Sequence, residues 1–195
     1  MKTLRRIEQK EKTRRNLIRT SLNVFSNKGI TSTNTAELAK YAHVSHGTIF
    51  LHFPKRDDLI FAVMNEFGDQ LASKFEESSK NSKGIAGILK AHLQSLAEFE
   101  DFYTHLIKEI SYLPDKVKSR LFILQSSISH RINIEAQKEI AAGKIKNIDR
   151  PMLFNTWVAL LHYYIANKEV FFPKKSVISS IGDDLLKHFL NLIKK

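Results

Sequence analysis

Apolar residues along this chain return every third or fourth position rather than every second. Leu17, Ile18, Ser21, Leu22, Val24 and Phe25 form one such stripe, and Leu59, Val63, Phe67, Leu71 and Phe75 form another. That period turns one face of a helix toward a core, whereas a half-buried strand needs a period of two. Seven glycines and four prolines in 195 residues are few for an all-β fold with its many tight turns. The pattern predicts an all-α fold of about nine helices.

Punctuation sets the helix limits. The first helix runs from about Gln9 to Lys28, where Gly29 can take the left-handed angles that end a helix. Asn34, followed by Glu37 three residues later, reads as the cap of a short second helix. His43-Val44 is a turn. Ser45 caps a third helix, which Pro54 ends because the residue before proline avoids helical angles. Longer helices follow over about 56–78, 85–99, 102–112, 115–142, 150–168 and 176–195. The organisation expected is an N-terminal three-helix domain over residues 1–55, with a basic arm, and a helical domain over 56–195.

The chain has no cysteine, which excludes disulfides and thiolate metal sites. No apolar run reaches the length of a membrane span, and residues 1–19 lack the apolar core of a signal peptide. A cytoplasmic protein without membrane contact is expected. The net charge is +11 and unevenly spread: residues 1–60 carry 12 Lys and Arg against 5 Asp and Glu, and residues 61–195 carry 19 against 15. A basic surface of this kind attracts a polyanion by releasing its counterions. In the arm, Lys2, Arg5, Arg6, Lys10, Lys12, Arg14 and Arg15 suit either a DNA contact or a solvated tail.

Residues 38–49 hold the parts of a helix-turn-helix. Ala39 is the small residue where two helices approach. Leu38, Val44 and Ile49 lock their angle, and Ser45 starts a helix able to enter the major groove. Around these lie Gly29-Ile30, Asn34-Thr35-Ala36-Glu37-Leu38-Ala39 and Val44-Ser45-His46-Gly47-Thr48-Ile49-Phe50-Leu51-His52-Phe53-Pro54-Lys55-Arg56-Asp57-Asp58-Leu59. Over residues 12–65 this resembles the N-terminal signature of the TetR family of regulators.

The resemblance implies roles. Ser45, His46, Gly47 and Thr48 fall where that family touches bases and nearby phosphates. Phe50, His52 and Arg56 fall at its phosphate-contacting positions. Thr35 and Ala36 fall where the second helix reaches the DNA backbone. Three positions depart from the pattern. His43 replaces a turn glycine, Phe50 lacks a tyrosine hydroxyl, and Lys55 stands where a small capping residue is common. His43 and Phe50 are the support for a second reading, a helical ligand-binding or protein-interaction module without DNA binding.

The last two long helices are apolar around most of their circumference, wider than one core-facing stripe. They are expected to pair across a two-fold axis as a homodimer, through Trp157, Leu161, Ile178, Ile181, Gly182, Leu185 and Phe189. A two-fold protein matches a palindromic operator on double-stranded DNA. The resemblance implies repression, relieved by a small-molecule effector of apolar or amphipathic character held among the middle helices. The candidate wall is Met64, Phe67, Leu71, Leu89, Leu124, Ile128 and Trp157, with His92, Tyr103, His105, Gln125 and His162 as polar groups. No glycine-rich phosphate loop, His-Glu-x-x-His or Gly-x-Ser-x-Gly occurs. The eight histidines lack metal-ligand spacing. The expectation is therefore no enzyme, no metal and no cofactor.

Overall fold

The computed structural model describes residues 2–195, with side chains from Leu4 onward; Met1 and the side chains of Lys2 and Thr3 lie outside the described residues. Ten α-helices occur among them: α1 (Lys2–Lys28), α2 (Thr35–Tyr41), α3 (His46–His52), α4 (Arg56–Ser79), α5 (Gly84–Ala97), α6 (Glu100–Glu109), α7 (Asp115–Ala141), α8 (Arg150–Ala166), α9 (Lys168–Phe171) and α10 (Val177–Ile193). None is long and apolar enough to cross a membrane.

The caps explain most of the boundaries. Gly29 has φ +92° and ends α1. The Asn34 side chain accepts from Glu37 N and starts α2. The Ser45 side chain accepts from Thr48 N and starts α3. His43, at the turn between them, has φ +54°, in the left-handed region that histidine tolerates better than most side chains.

Two expectations change. Helix α1 begins at Lys2, not near Gln9, so the basic arm is helical, and its residues Leu4 to Lys12 are all exposed. The 150–168 helix stops at Ala166 and a separate short turn, α9, follows it.

One apolar core runs from Leu17 on α1 to Ile193 on α10. In it α4, α5 and α7 pack together, α6 bridges α1 to α8, and α10 lies on α5 and α8. The carboxylate of Glu100, 4% exposed, accepts from Val177 N at 2.8 Å, Ile178 N at 3.0 Å and Ser176 Oγ at 2.5 Å. A buried anion here satisfies the free N–H groups that open α10 and complements its dipole.

Most residues of the expected dimer face are already covered within one chain. Trp157, Leu161, Ile178, Gly182, Leu185 and Phe189 are buried inside their own chain, and Ile181 alone of that set is partly exposed. Gly182 sits where an added Cβ would meet Leu93 on α5 at 3.6 Å, so the close crossing it permits is within the chain. The apolar arcs of α8 and α10 are wide because α5, α6 and α7 pack around them. Facing outward on α8 are Met152 and Tyr163, and on α10 His188 and Leu192.

Candidate nucleic-acid interface

Helix α3 has two sides. Ile49 and Phe53 are buried and fix it to the core. At 100° per residue the opposite direction falls between Gly47 and Leu51, flanked by Phe50 and Thr48. Gly47 carries no side chain, and Leu51 is 77% exposed. Leu51 is not among the residues expected to touch DNA. The available signal was its place four residues after Gly47 and two after the buried Ile49.

Around this face the expected residues gather. Ser45, His46, Gly47 and Phe50 are exposed, Thr48 is half-buried, and Thr35 and Ala36 border them from the start of α2. Their polar atoms bond one another: Thr35 Oγ1 lies 2.9 Å from His46 Nε2, and Ser45 Oγ lies 2.8 Å from Thr48 Oγ1. The His46 ring meets the Phe50 ring edge-on at 5.1 Å. These short side chains are half-satisfied by each other and keep spare donors and acceptors toward solvent.

The other two expected phosphate contacts lie elsewhere. His52 turns toward α1, and its Nδ1 is buried without a partner among the described residues. Burial, then the positive charges of Lys10 and Arg14, hold its imidazole below the ordinary range. The Arg14 guanidinium lies 4.8 Å from the centre of the Phe53 ring. Arg56 is committed inward, donating to the carbonyl oxygens of Ile30 and Thr33. The sequence placed a cation at the start of α4 but did not reveal that the loop ahead of α2 engages it.

That loop is held from a second side. Glu109, at the end of α6, accepts from Thr31 N at 2.6 Å and Ile30 N at 3.3 Å, and His105 Nδ1 stands 3.2 Å from the same carboxylate. An added Cβ at Gly29 would meet that carboxylate at 2.7 Å, so the glycine serves close approach as well as its positive φ. His105, expected in the effector wall, thus lies beside the loop ahead of α2.

The other apolar residues expected in the wall are interior. Met64, Phe67, Leu71, Leu89, Leu124, Ile128 and Trp157 are buried in one core. Trp157 Nε1 donates to His92 Nδ1 at 3.0 Å, and Tyr103 Oη lies 2.6 Å from His162 Nε2. Burial drives the His92 pKa down to about 3, with His162 adding to the effect, and that of His162 down to about 4. Burial thus favours the neutral form of both rings. Gln125 lines a groove of about 600 Å³ between α7 and α8, with Phe122, His130, Asn133, Arg150 and Phe154.

A short exposed helix held by a cap, a tight turn and a buried lock against two neighbours defines a helix-turn-helix protein. Residues 17–63 match the family model of bacterial regulatory proteins of the tetR family. The match covers the helix-turn-helix and its flanks, about a quarter of the chain.

Its relatives extend the comparison. It is 25% identical over 133 residues to the HTH-type transcriptional regulator YuxN of Bacillus subtilis, covering 65% of this chain and 45% of that protein. The chain's match thus spans under half the length of this first relative. To a fatty acid metabolism regulator protein of Bacillus subtilis it is 24% identical over 165 residues, covering 77% of this chain and 82% of that one. The crystal structure of FadR from Bacillus subtilis in complex with stearoyl-CoA superposes with a TM-score of 0.74 at 17% identity, over 91% of this chain and 98% of that one. This last likeness is one of fold.

Proposed function

We propose that this protein is a homodimeric transcriptional regulator, most simply a repressor, that acts in the cytoplasm and releases a palindromic operator when a small amphipathic effector binds. Residues 1–55 are the DNA-binding unit, and residues 56–195 sense the effector and form the dimer. The observation that carries the reading is the outward face of α3. It is small at Gly47, apolar at Leu51 and polar at Ser45, His46 and Thr48, on a helix otherwise locked to the core. Such a face fits the major groove, where hydroxyls and imidazoles reach base edges and an aliphatic side chain meets the thymine methyl. Thr35, Ala36 and Phe50 then border the sugar-phosphate backbone. In this reading Arg56 and His52 shape the head and do not themselves grip phosphate.

The dimer uses the outward faces of α8 and α10, with Met152, Tyr163, His188 and Leu192 in place of the buried residues first expected. The effector enters by the groove between α7 and α8. Its apolar part displaces side chains of the aromatic core, and its polar end meets Gln125, Tyr103 and His162. The stearoyl-CoA bound by the FadR relative is the chemical precedent for an amphipathic ligand.

Selection of genomic fragments with the purified protein tests the reading. Recovery of a two-fold symmetric site is expected, with Thr48→Ala and Leu51→Ala changing the preferred bases and leaving random-duplex affinity within about twofold. A protein that retains no duplex at low salt overturns it, and leaves the module without DNA binding in its place.

A further inference from the structure

The first three turns of α1 extend beyond the body of the protein. From Leu4 to Lys12 every residue is exposed. The face of α1 that meets the body is set by Leu17, Ser21 and Phe25, each at most 1% exposed. Arg6, Lys10 and Arg14 continue that same face toward the N-terminus, four residues apart and drifting only about 40° at each step. The side of the helix that packs on the core in its second half therefore overhangs it, as a row of cations, in its first. The row starts at the reading head, since Arg14 covers the ring of Phe53 just after α3. It extends outward over about 12 Å.

We propose that Arg6, Lys10 and Arg14 form a rail that holds backbone phosphates flanking the site read by α3. This rests on the reading of α3 as the groove-entering helix. Charge complementarity selects the occupant: a duplex held on α3 brings a dense line of negative charge alongside the end of that helix, and the rail begins there. Burial and the same two cations, Lys10 and Arg14, also lower the proton affinity of His52, which places their field at the end of α3. Lys12 and Arg5 project from the far side of α1 and are no part of the rail.

The test uses the full chain and fluorescence anisotropy. The duplexes carry the site selected by the unmodified protein, with flanks of either about 3 or about 15 base pairs on each side, a choice set by the roughly 34 Å rise of one DNA turn. Three proteins are compared: the unmodified chain, Arg6→Ala/Lys10→Ala, and Arg5→Ala/Lys12→Ala, which removes the same charge from the opposite side. Arg14 is left alone because it packs on Phe53.

The rail predicts that long flanks tighten binding by the unmodified chain and not by the Arg6/Lys10 variant. On long flanks that variant's log affinity against log salt should be shallower by about 1.8 per protomer, or about tenfold between 50 and 200 mM. The Arg5/Lys12 variant should keep most of both effects. Equal losses in the two variants overturn the proposal in favour of a general charge effect. Unchanged binding by the Arg6/Lys10 variant on long flanks overturns it in favour of a solvated helix. Loss of binding to phosphatidylserine vesicles, with DNA affinity intact, overturns it in favour of a membrane surface. Failure of the α3 reading appears differently, as absence of duplex binding by the unmodified chain at either flank length.

Discussion

The reading head and the helical body handle polar groups in opposite ways. In the head, Ser45, His46, Thr48 and Thr35 bond one another at the surface and remain open to a further partner. In the body, Trp157, His92, Tyr103, His162 and Glu100 are partnered inside the core or at its edge. A buried polar group that loses its partner costs its full desolvation, while an exposed one exchanges water for a ligand at little cost. Stability therefore resides in the body and chemical choice in the head. The α6 end joins the two, because Tyr103 and Glu109 sit on one helix and Glu109 holds the loop in front of α2.

The largest effect should come from Trp157→Ala. The indole is fully buried against Phe189, with ring centroids 5.4 Å apart, and supplies the donor to His92. Truncation should destabilise the fold by about 3–5 kcal/mol, read by urea denaturation, whereas His46→Ala in the head should shift it by less than about 0.5 kcal/mol. Comparable losses at the two sites would break the division just drawn.

Glu109→Ala probes the junction. It leaves Thr31 N and Ile30 N without their carboxylate, at about 1–2 kcal/mol of stability. The more telling readout is DNA. Selected-site affinity should fall about tenfold, equivalent to about 1.4 kcal/mol, with random-duplex affinity unchanged, because the loop positions α2 and α3 but contributes no charge. Loss of stability with full site affinity would confine Glu109 to a packing role.

Acidity should act on the body. Both core histidines have folded pKa values, about 3 for His92 and about 4 for His162, below the ordinary 6.5. Above pH 6.5 neither the folded nor the unfolded ring is protonated and the linkage vanishes. As pH falls from 6.5 toward 4, the unfolded chain takes up protons that the folded core refuses, so stability declines through that window. Urea denaturation at pH 7.5, 6 and 5 checks the sign. His162→Gln should flatten the decline by removing one of the contributing groups; an unaltered slope would exclude that ring as a source.

Much of this was legible in the chain and some was not, for a physical reason in each case. Asn34, Ser45, Gly29 and Pro54 act within four residues of themselves, so local rules located the second and third helices. The arm has no apolar stripe, and its helical start at Lys2 follows from continuity with α1, which those rules do not register. The partners of Arg56 and Trp157, and the loop N–H groups that Glu109 holds, lie 23 or more residues away. Sequence spacing carries no information about such pairs. Likewise the apolar breadth of α8 and α10 signalled burial on several sides. It did not say whether the covering surface was a second copy or, as found for Trp157 and Phe189, the chain itself.

The finest probe of the comparison is Phe50→Tyr. The ring is 43% exposed on the face of α3 beside His46, at a position where the family it resembles favours tyrosine. The substitution adds a hydroxyl at the surface and removes no contact, so stability should stay within about 0.5 kcal/mol. If this edge of α3 lies along the DNA backbone, the new hydroxyl gains a phosphate hydrogen bond worth about 0.5–1.5 kcal/mol, or roughly two- to tenfold in affinity. The gain should be equal for selected and random duplexes, since phosphate contacts carry no base information. A gain restricted to the selected site would move Phe50 from the backbone to the bases. No gain on either duplex would turn this edge of α3 away from DNA and leave Gly47, Thr48 and Leu51 as the whole reading surface.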